Sequence, residues 1–299
     1  MTAVLNNMEK LFFYIGFGLY TLATGLYLGY AFTKRENLAG VGRAALRGAV
    51  LLHFISLLIR TYVGRHLPDH GWYVPWSNWF ESFSFFSFVI AAEFLIIQSR
   101  QQLPILGAFV VPVLFGALVA AVCSPFGTQI PMIPPALQSF WLAIHVPVMF
   151  ISYAAFANAF AVGLVYLIQE RQIKSKKPSH LAFRLPPLDE LDGLIYKIVA
   201  YAWPILVLGI ILGARWAHDA WGRYWGWDAK ETWAFITLLV YALYLHMRLF
   251  AGWRGRKTAY LSLVGFCVVI FTYVGVNYIS HRHGFLSGEG QSSQAMGKN

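Results

Sequence analysis

Residues 138–168 read QSFWLAIHVPVMFISYAAFANAFAVGLVYLI, thirty-one positions without an Asp, Glu, Lys or Arg. About twenty apolar residues cover the hydrocarbon core of a bilayer, so this stretch crosses a membrane and either tilts or projects beyond it. Seven runs of similar character flank it, at roughly 11–33, 44–63, 79–97 and 103–123 before it and 195–213, 230–250 and 259–279 after it. The expected fold is an all-α integral membrane protein, a bundle of about eight transmembrane helices. Pro112, Pro147 and Pro204 fall inside runs, where neighbouring helices satisfy the carbonyls a proline frees. No cleavage site follows the first run, which therefore reads as a retained helix. Residues 1–299 read as a single polytopic membrane domain without internal repeats, ending in a disordered Gly- and Ser-rich tail over 287–299.

Composition agrees. The chain is 58% hydrophobic, 17% aromatic and 12% charged, against roughly 25% charged in soluble domains. The net charge of +10 comes from short clusters between apolar runs, not from the continuous basic face that nucleic acid requires. The connections after the first, third, fifth and seventh runs hold 15 of the 23 Lys and Arg residues, and the remaining segments hold 8. By the positive-inside rule the first set faces the cytoplasm. Both termini and the connection after the sixth run then lie on the outer side of a plasma (inner) membrane, or of a thylakoid membrane in a phototroph. Two cysteines, Cys123 and Cys267, are too few for a disulfide framework or a zinc site and read as packing residues. The C-x-x-C-H signature of covalent haem attachment is absent.

The chemistry concentrates in the outward connection between the sixth and seventh runs. It reads GARWAHDAWGRYWGWDAKETWAF, from Gly213 to Phe235, and holds five of the 11 tryptophans: Trp216, Trp221, Trp225, Trp227 and Trp233. Two readings stand. Trp favours membrane interfaces, so this Trp-rich loop is either an interfacial belt or a stacking platform for a large flat ring. Arg215 and Arg223 suit the second reading, as cations for the carboxylates of a porphyrin. Asp228 with Glu231 three residues on also fits the Asp-x-x-Glu cap of a helix start.

Imidazole is a common axial ligand of haem iron. His145 lies about seven residues, roughly 10 Å, into the fifth helix from its outer end, and His281 and His283 follow the eighth run. These share the side of the tryptophans. His246 lies sixteen residues beyond Lys230, roughly 24 Å deeper, and belongs to a separate inner site or a structural hydrogen bond. His53, near the middle of the second run, reads as packing.

The stretch WGRYWGWDAKETWAFITLLVYALYLHMR resembles the tryptophan-rich "WWD" signature of cytochrome c assembly proteins that handle haem. PPALQSFWLAIHVPVMFISYAAF (Pro134–Phe156) and PWSNWFES (Pro75–Ser82) agree with it. The resemblance is to the CcsA/ResC type of the system II pathway and covers an assembly core of about 72–285. It implies a haem-facing loop of Trp221, Trp225, Trp227 and Asp228, with Trp216 and Arg223 beside it. It implies His145 and His283 as outer axial ligands, His281 being the alternative because YISHRHGFLSG departs from the family pattern. It also implies His246 as an inner ligand whose partner comes from a second protein. Haem b, held non-covalently, would pass from the inner to the outer site and be presented to apocytochrome c (C-x-x-C-H) for thioether attachment. The implied partners are a second membrane subunit of the CcsB/ResB type and thiol-reducing thioredoxin-like proteins; together they would form a holocytochrome c synthase complex. Two rivals are a haem exporter that loads a chaperone and a cytochrome b-like electron carrier. The carrier needs paired histidines at matching depth, which only His53 and His246 approach.

Overall fold

The computed structural model describes residues 2–33, 35–67, 72–125, 127–130, 132–133, 137–176 and 179–279. Each of the eight apolar runs is a helix long enough to span a membrane: α1 (Thr2–Phe32), α2 (Asn37–Arg65), α3 (Trp79–Gln101), α4 (Gly107–Val122, entered through a 3-10 turn), α5 (Phe140–Lys174), α6 (Leu188–Trp221), α7 (Ala229–Leu249) and α8 (Arg256–Ile270). α8 continues through a π-helical turn, Phe271–Gly275, into a last helical turn, Val276–Ile279. Among the described residues there is no strand. The chain is a multi-pass membrane protein.

Helix boundaries follow local chemistry. Asn78 accepts from the Glu81 backbone N–H to cap α3, Ser139 from that of Trp141 to cap α5, and Asp228 from that of Glu231 to cap α7. α5 is the central helix. Its Ala154, Ala155, Ala157, Ala159 and Ala161 are all buried, and small side chains let helix backbones approach closely where lipid supplies no hydrophobic drive. Gly163 continues that stripe: a Cβ there would lie 2.7 Å from Leu263 Cδ1 of α8.

Side-chain ties define the two ends of the bundle. At one end Arg60 of α2 is 2% exposed and donates to Glu81 of α3 through Nε (3.0 Å) and Nη2 (2.8 Å), to Glu9 of α1 (3.4 Å), and to the Thr128 and Gln129 carbonyls after α4 (3.0 and 2.8 Å). Glu81 also accepts from the Tyr73 hydroxyl (2.5 Å) and the Ser77 N–H (2.9 Å). At the other end Asp192 of α6 binds Arg248 of α7 (2.6 Å), the Gly255 N–H (2.8 Å) and Thr258 of α8 (3.0 Å), and Arg184 reaches the Tyr30 and Thr33 carbonyls at the end of α1. The first end also carries the tryptophans, and is called the tryptophan end below.

Two sequence expectations change here. α6 runs seven residues earlier and eight later than its apolar run, so Trp216, His218 and Trp221 are helical and the connection to α7 is only 222–228. Hydropathy registers the lipid-facing part of a helix and misses amphipathic extensions such as Leu188–Leu194. Cys123 and Cys267 are free and exposed, not packed inside; in lipid the outer face of a bundle is as apolar as its interior. The expected tail over 287–299 lies outside the described residues.

Candidate functional site

His145 stands five residues into α5, facing α6. Its Nδ1 lies 2.8 Å from the Gly209 carbonyl. A carbonyl only accepts, so Nδ1 carries the proton, and in the neutral imidazole Nε2 keeps the lone pair. A hydrogen bond of this kind orients metal-binding histidines. The Trp216 ring lies nearly parallel to the imidazole, 6.1 Å away at 12°, and Trp221 meets Trp216 edge-on at 4.9 Å. Trp216, Leu142 and Val74 form a small buried cluster against which Trp76, Trp141 and Trp221 pack.

Gly213 makes this seat. A Cβ there would lie 2.6 Å from Cε1 of His145 and 2.9 Å from its Nδ1, so only glycine lets the ring rest on α6. Gly213→Ala is expected to displace the imidazole and cost about 1–3 kcal/mol by overpacking, read as a lower thermal midpoint. An unchanged midpoint would show the seat to be loose.

The 222–228 turn forms a second aromatic group. Trp225, Trp227 and Phe235 meet edge-on with centroids 5.6, 6.5 and 6.2 Å apart, and Trp227 is 67% exposed. Trp227 takes a left-handed φ of 54°, which turns the chain into α7. Asp228 and Glu231 complete a reciprocal capping box, with Glu231 Oε2 also accepting from the Gly226 N–H at 2.6 Å. The expected Asp-x-x-Glu cap is present. Arg223 folds back into the turn, 3.9 Å from Glu231, and its guanidinium occupies the space a Gly226 side chain would need. It braces the turn.

The described structure thus brings His145, Trp216 and Trp221 together, and separately Trp225, Trp227 and Phe235. On α7 the Lys230 ammonium donates to Asn277 beyond the π turn (3.2 Å), within electrostatic range of His145. His281 and His283 lie outside the described residues; the chain leading to them passes Lys230. His246 is apart from all of these, in the last turn of α7 at the opposite end, exposed and 5.1 Å from the Phe250 ring. His53 is 1% exposed, with Ser84 Oγ at 2.8 Å and the Tyr20 hydroxyl at 3.4 Å. It lies near mid-helix and His246 near a helix end, so the two do not match in depth. Among the described residues no three His, Cys, Asp or Glu side chains gather as a metal site. The Glu9–Arg60–Glu81 network escaped the sequence reading, although an arginine inside the apolar LLIRTYV is a signal that could have found it.

This geometry lies almost wholly within residues 76–283, which match a profile described as "Cytochrome C assembly protein". The chain belongs to that family. Among its cytochrome c assembly relatives, "Cytochrome c biogenesis protein CcsA" of Guillardia theta is 35% identical over 87% of this chain and 91% of its own length. The protein of the same description in Gloeothece citriformis is 34% identical over 94% and 99%. A solved structure, "Cytochrome c Heme Lyase CcmF", superposes with a TM-score of 0.63 at 19% identity over 97% of this chain. That likeness is one of fold. This assembly-family chain spans about half of that structure, 48% of its length.

Proposed function

We propose that this protein receives haem and presents it to apocytochrome c at the tryptophan end, on the outer side of the membrane, for thioether attachment. The observation that carries this reading is the seat of His145: an imidazole oriented by the Gly209 carbonyl, with Nε2 as the lone-pair nitrogen, beside the parallel Trp216 ring. Such a donor set suits a haem iron and a porphyrin plane. His145 supplies one axial ligand and His283, or His281, the other. Trp221, Trp225, Trp227 and Asp228 shape the turn that covers the ring, and Arg223 holds that turn in place. At the opposite end His246, exposed on α7, takes an inner haem whose second ligand comes from a CcsB/ResB-type membrane subunit. The cargo is haem b, held non-covalently, and thioredoxin-like proteins keep the acceptor cysteines reduced. The chain's own contribution is positioning: cysteine thiols add to the haem vinyl groups, and that reactivity belongs to the haem. The charge asymmetry, 15 basic residues against 8, supports an outer position for the tryptophan end.

The test is to replace Trp225, Trp227 and Asp228 together by alanine. The protein is expected to insert at wild-type levels while covalent haem staining of cytochrome c in the same membranes is lost. Full staining with normal insertion would leave the turn as an interfacial belt.

A further inference from the structure

An acid in the membrane interior is left unused by the proposed function. Glu93 stands fourteen residues into α3, about 21 Å from its start. Among the described residues it has no ion pair with Lys, Arg or His. An unpaired carboxylate in such surroundings is costly and marks a site. Its Oε2 accepts one hydrogen bond, at 3.5 Å, from Nδ2 of Asn158 on α5. Asn158 is fully buried, at 0% exposure, and its Nδ2 also donates to the Ala154 carbonyl at 3.0 Å. The second bond settles which end of the amide is nitrogen. Two oxygens are then left over. Glu93 Oε1 and Asn158 Oδ1 are both buried, and neither has a protein hydrogen-bond partner among the described residues.

While Glu93 is ionised, both of these atoms are acceptors, and neither can satisfy the other. One proton resolves both. On Oε1 it makes a hydroxyl, a donor that the partnerless amide oxygen can accept from, while the amide N–H already donates to Oε2. Such a cyclic acid–amide pair carries no net charge and no orphaned acceptor, in a place where an unmade hydrogen bond is costly. Among the described residues, Tyr201 of α6 is within electrostatic range of Glu93. α4, which also packs on α3, carries only apolar and glycine residues apart from Pro112.

We propose that Glu93 and Asn158 form a proton-binding site within the membrane, Glu93 carrying the proton on Oε1 at neutral pH. The site joins α3 to α5 and does not depend on the haem reading. Glutamine can replace the protonated acid, because its N–H donates where the O–H did.

The test uses the full-length protein in lipid vesicles at pH 7. Difference infrared spectra are expected to show a protonated-carboxyl C=O stretch that is lost in Glu93→Gln and shifts in Asn158→Leu. Dicyclohexylcarbodiimide, which attacks protonated carboxyls in apolar surroundings, is expected to label Glu93, read by mass spectrometry. Glu93→Gln is expected to keep the wild-type thermal midpoint, whereas Glu93→Ala lowers it. A carboxylate band and unlabelled Glu93 at pH 7 would overturn the proposal. So would loss of the label on adding sodium ions at constant pH, since a metal cation would then be the ligand. The infrared and labelling measurements on the wild type decide the matter even if a variant does not accumulate.

Discussion

Replacing His145 by glycine is expected to lower holocytochrome c on the order of tenfold or more. Loss of a group that merely orients a metal ligand already costs 10–100-fold in affinity, roughly, and the role proposed for His145 is that of the ligand itself. Haem bound at the far end is expected to persist, because His246 lies sixteen residues along α7 from Lys230, about 24 Å by helical rise. One iron cannot serve both levels. His246→Gly is expected instead to lower total bound haem, because it removes the ligand of the proposed earlier station. Added imidazole is expected to restore part of the His145→Gly defect, since the seat is half-buried and a small ligand can enter the space the side chain leaves. Haem spectra and covalent haem staining of membranes from both variants measure this. Wild-type staining in His145→Gly would remove it as an axial ligand, and equal loss of haem in both variants would collapse the two stations into one.

The second large effect concerns stability. Arg60→Met leaves Glu9 and Glu81 buried, at 2% and 1% exposure, without their guanidinium. Breaking a buried ion pair from one side costs about 3–5 kcal/mol, whereas removing every charge can be nearly neutral. The single variant is therefore expected to unfold well below the wild type. The triple variant Glu9→Gln, Arg60→Met, Glu81→Gln is expected to recover most of the loss, in a comparison of thermal midpoints in the same detergent. A triple variant as unstable as the single one would mean that packing of the Arg60 stem against Phe80, whose ring centroid is 5.1 Å from its guanidinium carbon, matters more than charge.

All eight spans were legible in the sequence because lipid imposes one requirement on every crossing, a long apolar stretch with its backbone bonds satisfied internally. The start of α7 was legible for a local reason, the reciprocal bonds of Asp228 and Glu231. What was not legible depends on neighbours distant in the chain. Nothing around His145 announces that the Gly209 carbonyl, sixty-four residues on, sets its tautomer. The same holds for the fold of Arg223 against Gly226, which places its guanidinium 3.9 Å from Glu231. The π turn at Phe271–Gly275, where the Thr272 hydroxyl meets that of Thr237 at 2.9 Å, leaves no periodicity to read. Trp216 and Trp221 were assigned to a loop because Arg215, His218 and Asp219 interrupt the apolar run; a helix emerging from lipid keeps its hydrogen bonds while its outer face turns polar.

The network around Arg60 has a consequence for biosynthesis. A ribosome delivers Glu9 first, Arg60 fifty-one residues later, Glu81 twenty-one after that and Gln129 later still. An arginine entering a bilayer alone costs about 2.5–3.5 kcal/mol at mid-membrane, but this one arrives when its first carboxylate is already in the nascent chain. Within the α1–α2 hairpin, Arg60 can therefore enter as a neutral pair with Glu9. Glu81 then adds a charge to a pair already formed, and the segment carrying Thr128 and Gln129 docks on guanidinium hydrogens left over from it. The order of the residues along the chain is the order in which the guanidinium can gain its partners.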